Sequence, residues 1–297
     1  MYFKNRKPVS VKKKLEFDSW KRLLLFTFEG MQVTNQSGIR IENCIVFSRF
    51  LKRNVEFDLY IPSLNKDIFE LLLINDGQDL SKFGFHSIFS TFIEANKIKP
   101  IIAVGIHAGK ERKLEYGIAG KPDYLGRGNR AEAYTQFILQ ELLPFIDNRF
   151  KIQFTKKAFA GFSLGGLTAL DIVWKHADVF SIAGIFSGSL WWRSVDQHDE
   201  QYDDDIHRIM HQQIKHGKYK PGLKFFFTTG SLDETNDRNN NGIIDSIDDT
   251  ISLIQHLEEL GYKEPGDIFY INYADGRHDM ETWGRAMPVF LKWAFAS

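Results

Sequence analysis

Short apolar segments alternate with amphipathic segments from about residue 55 to the end of the chain. Several of the apolar segments are almost continuously hydrophobic, which is typical of strands covered on both faces of a sheet. These segments predict strands at Val55–Ile61, Phe69–Ile74, Ile101–Ile106, Ala158–Gly161, Ile182–Phe186, Phe225–Thr228 and Ile268–Tyr273. Apolar residues spaced three or four positions apart predict helices at Phe85–Ala95, Ala131–Asp147, Leu164–Lys175, Thr250–Leu260 and Trp283–Ala296.

The alternation of strands and helices predicts an α/β fold. Strands that are each followed by a helix pair in parallel through right-handed crossovers, so we expect a mainly parallel, twisted sheet with helices on both faces. The chain has no internal repeat and no segment with the composition of an interdomain linker. We therefore expect one domain over residues 46–297, with residues 1–45 as a partly flexible N-terminal lead-in.

Composition narrows the range of partners. The 38 Lys and Arg residues balance the 38 Asp and Glu residues, which argues against binding to nucleic acid or to an anionic membrane surface. Cys44 is the single cysteine and fits a reducing compartment. The chain shows neither a run as long as a transmembrane helix nor the apolar core of a secretory signal, so we predict a cytoplasmic protein. Composition leaves the oligomeric state open.

The segment Gly161-Phe162-Ser163-Leu164-Gly165 lies between a predicted strand and a predicted helix. Glycines two positions before and after a serine allow the sharp strand-to-helix turn that exposes a nucleophilic hydroxyl. The motif is short enough to occur by chance, so its context carries the interpretation. That context, a buried strand before and an apolar helix face after, predicts Ser163 as a nucleophile.

A serine nucleophile needs a base and an acid, which follow it in the order acid and then histidine in an α/β-hydrolase. Asp233 and His278 each follow an apolar strand in this order. Because the carboxyl ends of parallel strands meet at one edge, the three side chains are expected to lie together. Glu234 and Asp237 are alternatives for the acid.

An oxyanion hole requires two N–H donors that face the developing negative charge. We expect one from the backbone of Leu164, which follows the nucleophile. The second is expected from the turn after the strand Phe69–Ile74, at Gly77 or Gln78. In the alternative interpretation, the Gln78 side chain only holds this loop in place.

Taken together, these motifs resemble those of the putative-esterase family of α/β-hydrolases, which includes enterochelin (siderophore) esterases and feruloyl or acetyl-xylan esterases. The resemblance extends from about Lys52 to the C-terminus. Its matching segments are Lys52–Pro62, Asn75–Leu80, Tyr134–Asp147, the turn at Ser163, Ser187–Trp192, Gly276–Asp279 and Trp283.

The resemblance implies a serine-dependent carboxylic-ester hydrolase that needs no organic cofactor, and it leaves the substrate open. We expect a small-molecule ester such as a siderophore-like one, because a chain without an export signal would not meet polymers outside the cell. The resemblance also implies that Asp233 is the acid and that Trp191 and Trp192 line the substrate pocket, although adjacent tryptophans are often simply core. A carbohydrate (feruloyl or acetyl) esterase, an acyltransferase with the same triad and a non-catalytic binding module are the alternatives.

Residues 237–248 have the spacing of a calcium-binding loop, with glycine at its sixth position and an exiting helix after it. The loop differs from an EF-hand in ending on Asp and in using two neutral Asn residues, and a metal-free polar turn is the alternative. The predicted ligands of a structural calcium ion are Asp237, Asn239, Asn241, Ile243 through its carbonyl, Asp245 and Asp248. His207 and His211 lie four apart in a predicted helix over Asp203–His216, but without a third ligand we expect no metal there.

Overall fold

The computed structural model describes residues 33–36, 38–63 and 68–296. In this part of the chain nine strands form one sheet, in the order β1-β2-β3-β5-β4-β6-β7-β8-β9. The strands are β1 (Val33–Gln36), β2 (Ile39–Ser48), β3 (Arg53–Pro62), β4 (Ile68–Asn75), β5 (Ile101–Ile106), β6 (Gln153–Phe162), β7 (Ile182–Phe186), β8 (Lys224–Leu232) and β9 (Ile268–Arg277).

The sheet is parallel from β5 to β9 and antiparallel at its other end, where β1, β2, β3 and β5 pair. The prediction of a mainly parallel sheet is therefore confirmed. The sheet begins earlier than expected, since β1 and β2 precede the predicted domain start at residue 46. That boundary is corrected toward the N-terminus, and residues 1–32 of the predicted lead-in lie outside the described residues.

Helices cover both faces of the sheet, as the alternating pattern predicts. One apolar core lies beneath the helices that precede and follow β6, and the other beneath the first and last helices. The helices of the described residues are α1 (Phe85–Glu94), α2 (Arg112–Glu115), α3 (Ala131–Phe137), α4 (Leu143–Phe150), α5 (Leu164–Lys175), α6 (Asp204–His207), α7 (Ile209–Lys215), α8 (Asp245–Leu260) and α9 (Met280–Phe295).

Two helical predictions differ from the structure in their details. A π-helical turn at Ile138–Leu142 joins α3 to α4, so the predicted helix 131–147 is continuous but locally widened. The predicted helix over Asp203–His216 is broken at Arg208, whose extended backbone (φ −75°, ψ 100°) separates α6 from α7. The break places His207 on one short helix and His211 on the next.

Candidate active site

Ser163 occupies the turn between β6 and α5 that its flanking glycines predict. Its backbone has φ 53° and ψ −122°, a conformation that residues with a side chain rarely adopt. The turn is held by hydrogen bonds from Ser163 N to the carbonyl of Phe186 (2.8 Å) and from Gly166 N to the carbonyl of Ser163 (3.0 Å). Strain held by its surroundings is characteristic of a functional position.

The glycines around Ser163 are required by close contacts between the strand and the helix. A Cβ atom on Gly161 would lie 2.4 Å from the carbonyl carbon and oxygen of Gly165. A Cβ atom on Gly165 would lie 2.8 Å from a carboxylate oxygen of Asp76. The motif is therefore a packing requirement of this turn.

Asn75, the last residue of β4, ties this turn to the neighbouring one. Its side-chain amide donates a hydrogen bond to the carbonyl of Gly165 (2.8 Å), and its Oδ1 accepts one from the hydroxyl of Tyr134 (2.6 Å). Asn75 and Tyr134 are completely buried, so the Asn75 side-chain amide has little freedom to move. The two turns that carry the predicted oxyanion donors are thus fixed relative to each other.

The predicted oxyanion donors begin two helices. Leu164 is the first residue of α5, and Gly77 is the first residue of a 3₁₀ helix that runs to Phe83. Backbone N–H groups in a first helical turn have no acceptor within their own helix, and they lie at the positive end of its dipole. Both turns therefore have the chemistry of an anion-stabilising site.

The side chain of Gln78 serves the loop. Its Oε1 accepts a hydrogen bond from Ala108 N (2.9 Å), which corresponds to the alternative interpretation given above for this residue. The neighbouring Asp76 has a left-handed backbone (φ 60°) and forms two hydrogen bonds with Arg112, at 2.6 and 2.7 Å. Arg112 therefore holds the turn from outside.

Asp233 and His278 each lie one residue beyond a pair of matched positions in the sheet. Leu232 of β8 pairs with Arg277 of β9. Asp233 and His278, the next residues, therefore follow at the same level of two neighbouring strands. Asp233 Oδ2 accepts a hydrogen bond from Gly230 N (3.0 Å). Its Oδ1 is buried and has no hydrogen-bond partner among the described residues, so one acceptor is left available.

The environment of Asp233 works against its negative charge. Burial raises the pKa of Asp233 above its ordinary value, whereas the Gly230 N–H, the Ser187 hydroxyl and the positive form of His278 oppose the rise. A buried carboxyl beside a histidine is the arrangement that holds and orients an imidazole ring.

His278 keeps part of its surface exposed, but its ring makes a T-shaped contact with the indole of Trp283, with ring centroids 5.1 Å apart, and this contact shields one side of the ring from water. Desolvation lowers the pKa of His278 below its ordinary value; the carboxylates of Asp233 and Asp279 oppose this change, and Arg112 adds to it. A lowered pKa keeps the ring neutral near pH 7, which is the form that accepts a proton.

Two serines near Ser163 were part of the family resemblance but were assigned no role from the sequence. Ser189 Oγ lies 3.4 Å from Ser163 Oγ. Ser187, with a left-handed backbone (φ 44°), accepts a hydrogen bond from Trp283 Nε1 (3.0 Å). The positive φ of Ser187 arises from contacts with distant parts of the chain, so the local sequence does not indicate it.

The alternative acids, Glu234 and Asp237, form hydrogen bonds with other residues. Glu234 accepts a hydrogen bond from Asn236 (3.1 Å), and burial raises its pKa above the ordinary value. The two oxygens of Asp237 accept hydrogen bonds from Asn241 N (3.0 Å) and Gly242 N (2.8 Å). Neither residue has the unsatisfied buried oxygen that Asp233 has.

The two adjacent tryptophans differ. Trp192 has no exposed surface, and its Nε1 donates a hydrogen bond to the carbonyl of Lys121 (3.1 Å), so the expectation that it lines a pocket is wrong. Trp191 is partly exposed and lines a cavity of about 200 Å³. The two rings are nevertheless neighbours, with centroids 6.0 Å apart, and the guanidinium of Arg127 contacts both.

The predicted calcium loop is closed by its own hydrogen bonds. Asn239 donates to Asp248 (2.9 Å), whereas Asp245 lies 3.2 Å from the guanidinium of Arg238. Among the described residues no group of three or more His, Cys, Asp or Glu side chains is placed to hold a metal ion. Calcium binding by Asp237, Asn239, Asn241, Ile243, Asp245 and Asp248 stays a prediction.

His207 and His211 have separate surroundings. His207 Nδ1 accepts a hydrogen bond from Asp203 N (2.9 Å), and the ring stacks on Tyr202. His211 is buried, with Nε2 2.9 Å from the carbonyl of Asp249. They occupy unrelated sites in the fold.

The mainly parallel sheet, the strained serine turn and the placement of an acid and a histidine after β8 and β9 define the class of the protein, an α/β-hydrolase. The chain belongs to the putative-esterase family, whose model, described as "Putative esterase", matches residues 48–294.

The individual proteins that resemble this chain have low sequence identity to it. The chain is 25% identical over 211 residues to an endo-1,4-beta-xylanase/feruloyl esterase of Xylanibacter ruminicola, a match that covers 70% of this chain and 23% of the relative. The enterobactin esterase of Shigella flexneri superposes with a TM-score of 0.65 at 19% identity, over 85% of this chain and 57% of that one. A ferulic acid esterase superposes with a TM-score of 0.61 at 18% identity, over 90% and 99% of the two chains.

The match thus spans about a quarter of the length of the Xylanibacter ruminicola protein and less than three fifths of the Shigella flexneri enzyme. The superpositions at these identities establish the fold. No helix in the described part of the chain has the length and apolar character needed to cross a membrane.

Proposed function

We propose that this protein is a serine-dependent carboxylic-ester hydrolase that acts on a small-molecule ester through an acyl-enzyme. The observation that carries the proposal is the backbone of Ser163, held at φ 53° between β6 and α5. This conformation directs a hydroxyl out of the sheet edge beside two helix N-termini. Membership of the putative-esterase family supports the same reaction.

In the proposed mechanism Ser163 Oγ attacks the ester carbonyl while His278 takes the hydroxyl proton. The N–H groups of Leu164 and of Gly77 or Gln78 stabilise the negative oxygen of the tetrahedral intermediate. His278 then protonates the leaving alcohol, and a water molecule, activated by the same ring, releases the acid from Ser163.

Asp233 is proposed as the acid that orients His278. Its unsatisfied buried Oδ1 supports this role, because an imidazole N–H is the donor that such an acceptor lacks. The carboxylate also stabilises the imidazolium that forms when His278 takes the proton. Glu234 is the second choice.

The proposed substrate is a small ester, and a siderophore-like ester is favoured because an enterobactin esterase shares the fold. A feruloyl ester is the alternative, since ferulate esterases are also similar to this chain. A cytoplasmic location belongs to the proposal; Cys44, buried and free, suits a reducing compartment.

The test is hydrolysis of 4-nitrophenyl butyrate by the wild type and by Ser163→Ala between about pH 5 and 9. We expect the variant to lose at least about 10³-fold in kcat, because the nucleophile is absent. Ser87→Ala, an exposed serine on α1, is the matched control. Equal rates for the wild type and Ser163→Ala would contradict the proposal.

Added acceptor alcohol separates hydrolysis from acyl transfer. A hydrolase releases free butyrate at an unchanged rate, whereas an acyltransferase diverts the acyl group into a new ester. A panel of siderophore and feruloyl esters then identifies the substrate class by kcat/KM.

A further inference from the structure

The cavity that Trp191 lines lies between two segments that leave the candidate active site. Trp191 comes two residues after Ser189, whose hydroxyl oxygen lies 3.4 Å from that of Ser163. Glu234, on another wall, directly follows Asp233. At about 200 Å³ the cavity is smaller than the roughly 300–1,000 Å³ of pockets for whole ligands. Its volume therefore suits one part of a substrate rather than a whole one.

Two arginines lie against Trp191 in this cavity. The guanidinium of Arg127 lies 4.7 Å from the centre of the Trp191 ring, and that of Arg193 lies 5.8 Å from it. Stacking on an aromatic ring orients a guanidinium and leaves its N–H edge free to bind a planar anion. Tyr124 adds a second aromatic side chain to the lining.

The two arginines differ in how far their charge is neutralised. Arg127 forms an ion pair with Asp123, with Nε 2.5 Å from Oδ2. Arg193 forms no ion pair among the described residues; its Nη1 donates to the neutral Gln197 (2.6 Å), and its buried Nε has no hydrogen-bond partner there. The charge of Arg193 acts on Asp196, whose pKa is lowered by the His198 N–H and also by Arg193, so Arg193 is less fully neutralised than Arg127.

The carboxylates of the cavity limit which anion fits. Glu234 and Asp245 both line it, and Asp245 shares Arg238, at 3.2 Å, with Asp204 and Asp249. A dianion such as phosphate would meet more repulsion here than a singly charged carboxylate, whose two oxygens match the guanidinium fork.

We infer that the cavity at Trp191 is a substrate subsite in which Arg193, assisted by Arg127, binds a carboxylate carried by the ester. The inference rests on the proposed function and names its substrate class: esters whose acyl or alcohol part bears a carboxylate. Arg193 is then a specificity-determining residue that contacts the substrate away from the reacting carbonyl.

The test compares two matched pairs of esters that differ in a carboxylate. Mono-4-nitrophenyl glutarate against 4-nitrophenyl butyrate probes the acyl side, and 4-acetoxybenzoate against phenyl acetate probes the alcohol side. We expect the wild type to favour the charged member of at least one pair in kcat/KM. In Arg193→Gln that ratio should fall about tenfold, since a charge-assisted contact is lost, while the rate with the neutral ester changes less than twofold.

Arg285→Gln is the matched control. Arg285 also stacks on an aromatic ring, 4.7 Å from the centre of Tyr273, but it lies outside the cavity. Arg285→Gln removes the same charge from the protein but none from the cavity, so it should leave both ratios unchanged. Glu234→Gln should act in the opposite direction and raise the ratio, since it removes a negative charge from the lining.

A fall of equal size for charged and neutral esters in Arg193→Gln would mean a structural role and would overturn the inference, as would unchanged ratios in both pairs. Calorimetric binding of mono-4-nitrophenyl glutarate and 4-acetoxybenzoate to Ser163→Ala, with and without Arg193→Gln, gives a readout free of turnover. If the wild type hydrolyses no ester, the proposed function fails. The binding measurement still tests the subsite: binding at least tenfold weaker with both substitutions than with Ser163→Ala alone would support it.

Discussion

The indole nitrogen of Trp283 donates a hydrogen bond to the hydroxyl of Ser187 at 3.0 Å, across 96 positions of the chain. The same hydroxyl helps to hold down the pKa of Asp233, and the Trp283 ring packs against His278. One buried contact thus supports both the proposed acid and the proposed base.

Ser187→Ala tests this contact. The variant removes the hydroxyl that opposes the rise in the pKa of Asp233, so we expect kcat to fall about tenfold with KM little changed. The midpoint of the acidic limb should move to lower pH, because a carboxyl that ionises less readily gives less support to the positive form of His278. Trp283→Phe keeps the ring packing and should cost less; an unmoved acidic limb in Ser187→Ala would contradict the positioning role.

The pH dependence of hydrolysis should follow His278. Since the base must be neutral, activity rises with pH as His278 loses its proton, with a midpoint below the ordinary value of about 6.5 because desolvation lowers its pKa. Asp233→Asn removes a negative charge that raises this pKa, so the midpoint should move lower still while kcat falls steeply. Profiles of kcat/KM for both proteins check this, and a higher midpoint in the variant would count against Asp233.

Gly161→Ala should disrupt the serine turn. The added Cβ would lie 2.4 Å from the backbone of Gly165, so we expect a loss of about 3 kcal/mol or more in the free energy of unfolding. Gly222→Ala is the control, because its Cβ meets nothing within 4 Å and only its positive φ of 85° costs stability, about 1–2 kcal/mol. Urea unfolding of both variants measures the difference; equal losses would show that contact with Gly165 is unimportant.

His211 should make the fold sensitive to acid. Burial lowers its pKa well below the ordinary value, and the charge of Arg208 adds to this, while a hydrogen bond with the Asp249 backbone opposes it. Below about pH 6.5 the unfolded chain takes up a proton that the folded chain does not, so stability falls as pH decreases. His211→Gln should reduce the loss between pH 7 and 5 by about 1–2 kcal/mol. The exposed His216→Gln should not, and an equal effect of both would refute the assignment.

Calcium should raise the melting temperature if residues 237–248 bind it. Millimolar calcium is expected to increase Tm relative to chelator in the wild type and to have no effect in Asp237→Ala, which removes the first predicted ligand. Scanning calorimetry makes the comparison. An identical Tm in calcium and chelator for the wild type would end the calcium hypothesis.

Local pattern was sufficient for the elements that form the centre of the fold. The helix predicted at Leu164–Lys175 has the bounds of α5, and strands β4 to β9 contain the predicted apolar segments. The position of Ser163 follows from the same information, because a strand, a helix and two flanking glycines are all encoded within a few residues.

Only the tertiary structure decided how these pieces meet. The antiparallel strands β1 and β2, the burial of Trp192 beside the exposed Trp191, and the link from Asn75 to Gly165 depend on strand order, which local periodicity does not carry. Asn75 and Gly165 are 90 positions apart, and they are brought together because β4 and β6 are neighbours in the sheet. The sequence therefore determined the chemical groups and their local geometry, whereas the distances between them arise from packing of the whole sheet.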